Sequence, residues 1–239
     1  MSATRTVSPL LPTETGSLDG LAYTLWLPPA SQPPARAGVV VLHGAGSSKE
    51  SHHDFARAAV AVGLGAICYD QRGHGDTGGR LGDGVVADAV AIATHLRTRI
   101  GGATAPVAIR GSSMGGYLAI VAAPAVNAGA VVAICPASAG GLRRGLAAGD
   151  FAFAADVGAL GAFLDAHDLV DAVASLTMPL LLLHAEGDER VPIQQSRELA
   201  QISGSRLIAA PGGHHRSVQH DPELQAASLR FLQRSLGLR

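Results

Sequence analysis

The stretch Val107-Ala108-Ile109-Arg110-Gly111-Ser112-Ser113-Met114-Gly115-Gly116 decides how this chain is read. A run of strand length meets a glycine turn, and a candidate helix from Met114 to Val126 follows directly. Strand, sharp turn and helix in that order carry a G-x-S-x-G pattern. The glycines have a steric reason. A serine on so tight a turn leaves no room for side chains two residues to either side. Centring the pattern on Ser112 would put Arg110 at a tight position, so Ser113 is the candidate nucleophile. The competing reading is a glycine-rich connection with incidental serines, and the strand-to-helix setting argues against it.

The same unit recurs on both sides of this stretch. Short apolar runs stand at Val39–Leu42, Gly65–Tyr69, Val107–Arg110, Val131–Cys135, Leu180–His184 and Leu207–Ala210. Nearly continuous apolar strands of this kind are buried on both faces, as in a parallel sheet. Helix signals lie between them. Ser51-His52-His53-Asp54 reads as a capping box opening a helix through Val62, and Val85 to Arg99 repeats apolar residues at helical spacing. Pro192 occupies a first helical position. Asp221-Pro222 gives an N-cap followed by proline, with Leu224, Ala227, Phe231 and Leu232 expected to face inward. Strand and helix alternate throughout, which predicts the α/β class with a doubly wound, mainly parallel sheet.

Two segments stand outside the alternation. Six of the thirteen prolines fall before residue 35, so residues 1–20 read as a leader. The region before Gly38 is expected to supply one or two edge strands, the better at Leu21–Leu27, but no core. Between Ala137 and Met178 no good strand occurs, yet three of the five phenylalanines, Phe151, Phe153 and Phe163, lie there. Residues 138–178 are therefore expected to form a small helical cap over the site, with an ordinary surface excursion as the alternative.

Composition narrows the function. At 239 residues, 47% hydrophobic and 15% charged, the chain suits one α/β domain over 1–239 and excludes general disorder. A net charge of -1 supplies no footprint for nucleic acid or an anionic membrane. The stretch Tyr117–Cys135 has the length of a spanning helix but is broken by Pro124, Asn127 and Gly129; helix, turn and buried strand fit it better. Met1 to Gly16 has no apolar run, so no signal peptide is expected and a cytoplasmic location is. Cys68 and Cys135 sit in apolar runs, which argues against a disulfide scaffold. Lys49 is the only lysine, which nearly excludes Schiff-base catalysis.

A nucleophilic serine needs a base and a group that orients the base. Strand Leu180–His184 is followed by Asp188, with glycine before it. Strand Leu207–Ala210 is followed by Pro211-Gly212-Gly213-His214-His215. Both residues leave the carboxyl ends of their strands, where ligands sit in open α/β sheets. Glu186 and Glu189 are poorer acids because they flank the turn. His215 is preferred to His214 because the turn must clear the strand before the ring can come back toward Ser113, but the choice stays open.

With these motifs in place the chain resembles the α/β-hydrolase superfamily, close to its small-esterase, acylaminoacyl-peptidase-like and dienelactone-hydrolase-like branches. The resemblance runs from Leu21 to the C-terminus. It includes the oxyanion loop His43-Gly44-Ala45-Gly46, the loop Asp70-Gln71-Arg72-Gly73-His74-Gly75 and, in part, the acid turn Glu186–Pro192. It implies a Ser113–His215–Asp188 triad and an oxyanion hole from the backbone N–H groups of Ala45 and Met114. His43, Asp70, Arg72 and His74 would brace loops. The expected activity is hydrolysis of a carboxylic ester of short to medium acyl chain, with peptidase, thioesterase or lipase activity as alternatives.

Three other classes compete. Gly44-Ala45-Gly46 hints at a dinucleotide fingerprint, but Lys49 stands where its third glycine belongs. His52, His53, Asp54, His214, His215 and His220 could be imagined as a metal site, but their spacings fit no ligand set. A catalytically silent binding protein on the same fold is the third, and the intact serine, acid and histidine argue against it. No cofactor or metal is implied; the partner is a small acyl substrate, and a homodimer is left open.

Overall fold

The computed structural model describes residues 10–238; the leader's residues 1–9 lie outside them. Eight strands form one sheet in the order β1-β2-β4-β3-β5-β6-β7-β8. Strands β1 (Glu14–Leu18) and β2 (Leu21–Trp26) make an antiparallel hairpin, and β2 pairs antiparallel with β4 (Gly65–Tyr69). From there β3 (Gly38–Leu42), β5 (Val107–Ser112), β6 (Val131–Ile134), β7 (Leu180–Ala185) and β8 (Arg206–Ala210) run parallel to β4.

Alternate residues of the central strands enter two separate cores. Val40 and Leu42 belong to the core covered by α2 (Val85–Ile100), α3 (Met114–Val126) and, over the later strands, α7 (Ile193–Ser203), while Val39 and Val41 belong to the one covered by α1 (His53–Ala61) and α8 (Pro222–Ser235). Burial on both faces explains why the strands read as unbroken apolar runs. The stretch Tyr117–Cys135 resolves into helix, turn and strand as expected. No described helix is long and apolar enough to cross a membrane.

Four expectations need correction. The segment before Gly38 does contribute core: β2 lies between β1 and β4, and Leu21, Leu25 and Trp26 are fully buried. The capping box is not made. Lys49–His52 forms a 3-10 turn, Ser51 Oγ donates to the Ser48 carbonyl, and α1 starts at His53 without a side-chain cap. In α8 the buried face is Leu224, Gln225, Ser228, Leu229 and Leu232, with Ala227 and Phe231 only half-buried. The cap divides in two. Helices α4 (Ala139–Ala148) and α5 (Val157–Ala166) pack on each other, whereas α6 (Leu169–Ser175) packs on α3 and α7 as part of the body. Their N-termini are closed by Ser138, Asp156 and Asp168, each accepting a backbone N–H.

Candidate active site

Ser113 has φ +55° and ψ −118°, a conformation that costs a non-glycine residue on the order of 1–3 kcal/mol. The surroundings enforce it. The Ser113 N–H donates to the Ile134 carbonyl at 2.8 Å, and its own carbonyl accepts from Tyr117 at 3.0 Å and Ala137 at 3.1 Å. A Cβ at Gly111 would run into the Gly115 carbonyl, and one at Gly115 into the carbonyls of Leu42 and His43. The turn is thus centred on Ser113. Ser112 points elsewhere, its hydroxyl donating to Gln219 Oε1 at 2.7 Å.

Asp188 leaves the carboxyl end of β7 with its side chain fully buried. Oδ1 accepts the N–H groups of Arg190 (2.8 Å) and Val191 (2.9 Å), and Oδ2 faces His215 Nδ1 at 2.7 Å. Burial alone would raise the carboxyl's pKa. The Val191 N–H, the His215 ring and the Arg190 N–H outweigh it and hold the group below the usual aspartate range. An ionised carboxylate only accepts, so Nδ1 of His215 carries the proton and Nε2 is the nitrogen free to act. His214 is exposed and exchanges backbone hydrogen bonds with Ser217 Oγ; it does not meet Asp188. Glu186 is tied loosely to Arg197 at 3.7 Å, and Glu189 accepts the His215 N–H at 3.2 Å. No hydrogen bond joins Ser113 to His215 among the described residues, but both line one cavity of about 810 Å³.

The loop after β3 brings Ala45 to the same cavity, and Met114 is the first residue of α3. Neither N–H donates to a protein group among the described residues. His43 stays in the loop as a brace: Nδ1 donates to the Gly44 carbonyl at 2.8 Å and Nε2 accepts the Gln71 N–H at 3.0 Å. Burial lowers its pKa to about 4, so the ring is neutral at pH 7. Asp70 accepts from the Lys49 ammonium (2.8 Å) and backbone (2.7 Å) and from Asp76 N–H (2.9 Å). Lys49 is buried and also pairs with Asp76 and Glu50. Arg72 clasps Asp88 with two nitrogens, and His74 stacks on Phe153 with centroids 4.2 Å apart.

The cap phenylalanines separate by role. Phe151 lines the large cavity and, with Leu142, also a small apolar cleft of about 10 Å³, roughly one water. Phe153 lines the cleft alone. Phe163 lines neither; it is buried edge-on to Tyr117, 6.4 Å between centroids.

In the sequence His184 is only the end of an apolar run. It is fully buried behind the acid, with Nδ1 2.7 Å from Ser196 Oγ, Nε2 2.9 Å from the Val191 carbonyl and 3.4 Å from Asp188 Oδ2. Cys135, His184 and Asp188 offer ligand atoms within 4.8 Å of one another. Both His184 nitrogens have other partners and burial raises the Cys135 pKa, so the group is better suited to supporting Asp188 than to holding a metal. Of the residues imagined as a metal set, His220 and Asp54 meet at 2.9 Å, but His53 goes to Thr24, His215 to Asp188 and His214 to Ser217.

Residues 33–155, just over half of the chain, match the family profile described as serine aminopeptidase, S33. Among curated proteins, the monoacylglycerol lipase of Mycolicibacterium smegmatis is 27% identical over 252 residues, covering 85% of this chain and 88% of the lipase. Among solved structures, Est1E of Butyrivibrio proteoclasticus with bound ferulic acid superposes with TM-score 0.74 at 18% identity, covering 94% of this chain and 99% of that one. The esterase Pf2001 of Pyrococcus furiosus superposes with TM-score 0.70 at 21% identity, covering 95% and 91%.

Proposed function

This chain belongs to the serine aminopeptidase S33 family of α/β-hydrolases, and from that premise we propose that it cleaves carboxylic esters through Ser113, His215 and Asp188. The observation that carries the reading is the 2.7 Å contact of Asp188 with His215 on a cavity that also holds the strained Ser113. As Ser113 Oγ attacks the acyl carbonyl, its proton passes to His215 Nε2. The N–H groups of Ala45 and Met114 receive the developing oxyanion, each worth about 10²–10³ in rate. Collapse expels the alkoxide, which takes the proton from His215, and leaves an acyl-Ser113. Water then attacks that acyl group while His215 accepts its proton; on collapse His215 returns that proton to Ser113 Oγ and the carboxylic acid departs. Asp188 keeps the imidazole in the required tautomer throughout. One domain, a small acyl substrate of short to medium chain and no cofactor are part of the same proposal.

The lipase and esterase names of the relatives support ester over peptide. So does the charge of the cavity: an aminopeptidase must anchor an ammonium group, yet the lining sets three arginines against one acidic side chain, Asp150. Labelling with a fluorophosphonate, followed by a panel of p-nitrophenyl esters and aminoacyl amides, tests this. Labelling that persists in Ser113→Ala, or amides cut faster than esters, sinks the reading.

A further inference from the structure

Three arginines reach the large cavity from three separate elements. Arg144 comes from α4 of the cap, Arg190 from the turn after Asp188, and Arg216 from the residue after His215. All three are exposed. Arg144 and Arg216 make no ion pair among the described residues, and Arg190 has only Glu189 at 3.9 Å. The acidic side chain among the residues lining the cavity is Asp150. The chain as a whole is near neutral, at -1, so this concentration of positive charge is local to the mouth of the site. Guanidinium groups bind carboxylate and phosphate oxygens in paired fashion, and cationic walls around a cleft raise the local concentration of anions.

We propose that the substrate carries an anionic group, a carboxylate or a phosphate, held by Arg144, Arg190 and Arg216 at the mouth while its ester reaches Ser113. The inference rests on the esterase reading above and narrows its substrate class. Such an ester arrives oriented, with its charge at the rim and its scissile carbonyl toward the floor. A neutral ester of equal length gains none of this.

The test compares kcat/KM for esters matched in size. Hydrogen succinate and butyrate p-nitrophenyl esters differ by a carboxylate on the acyl side, and 3-acetoxybenzoate and phenyl acetate by one on the leaving group. Each solvent-facing ion pair contributes at most about fivefold and two arginines on one anion combine, so one of the two charged esters should be preferred by about 5- to 20-fold at low salt. The preference should shrink as ionic strength rises, and the ratio should fall toward 1 when Arg144→Gln, Arg190→Gln and Arg216→Gln are combined. The neutral ester's rate in that variant reports on folding and on the triad. Inhibition of butyrate turnover by succinate against glycerol 3-phosphate shows which anion is preferred. If Ser113→Ala leaves ester turnover intact, the esterase reading falls. If turnover depends on Ser113 but neither charged ester is preferred, or the arginine substitutions leave the ratio unmoved, the anion inference alone is overturned.

Discussion

The Ser112 hydroxyl donates to Gln219 Oε1 at 2.7 Å, so the residue beside the proposed nucleophile is fastened to the loop that follows His215. Arg110, one strand residue earlier in the same face pattern, reaches the Gln219 carbonyl at 3.3 Å. Ser112 therefore has a structural task that Ser113 does not share. Ser113→Ala should lower kcat by about 10⁴–10⁶. Ser112→Ala should keep most of the turnover and cost about 1 kcal/mol of stability through the lost hydrogen bond. Equal loss of turnover in both variants would mean the elbow is misplaced.

His215→Ala should reduce kcat by several orders of magnitude with little change in fold, since a triad serine without its base keeps only the oxyanion and binding contributions. His214→Ala should cost less than about threefold, because its ring is exposed and apart from Asp188. Steady-state kinetics on one ester rank the two, and the reverse order excludes His215 as the base.

Gly115→Ala forces a methyl group into the carbonyls of Leu42 and His43. Backbone cannot move aside as a flexible side chain can, so the variant should lose about 1–3 kcal/mol or more in a urea titration. A loss under 1 kcal/mol would show that α3 can slide away from β3.

Phe151→Ala should raise kcat/KM for hexanoyl relative to acetyl esters, because Phe151 stands between the cavity and the apolar cleft under the cap. Each methylene newly accommodated is worth roughly 0.8 kcal/mol. Phe163→Ala should lower stability by about 3–5 kcal/mol and leave the ester ratio alone. A shifted ratio in Phe163→Ala with none in Phe151→Ala would put the acyl chain elsewhere.

Acid should unfold the protein well before its carboxylates titrate. The fold keeps His43 neutral down to about pH 4, whereas the unfolded chain protonates it near 6.5. Burial likewise lowers His52, His53, His74 and His184. Over that window the unfolded state binds more protons, so stability falls as pH drops; His43 alone accounts for up to about 3 kcal/mol by pH 4. The urea midpoint should decline steadily from pH 7 to 4.5. A flat midpoint from pH 7 to 5 contradicts this.

What the sequence made legible was local. The elbow's glycines are needed by atoms a few residues away, and strands buried on both faces show as apolar runs. The choice between His214 and His215 depends on a contact 27 residues distant, which no turn pattern encodes. His184 and Arg110 are hidden inside apolar runs because their partners come from other elements: Ser196 for one, and for the other Gln219 and the face of the Phe55 ring, whose centroid is 3.8 Å from the guanidinium. Helix α4 carries Gly140, Gly141 and Gly145, poor helix formers that only caps and packing hold in place. Strand β2 looked peripheral for its proline-rich flank, while its burial comes from the hairpin partner and the helices above and below.

The Asp70–Lys49 pair has a practical consequence for chemistry done on the protein. Amine-directed reagents find a single lysine side chain in the whole sequence, and the fold shuts it under two loops with three carboxylates around it. Burial alone would lower the Lys49 pKa, but the hydrogen bonds it donates to Asp70, Asp76 and Glu50 raise it, so the amine stays protonated and unreactive. Acylation of Lys49 by a soluble active ester thus becomes a clock for the opening of the loop after β3, readable as one mass increment on one peptide.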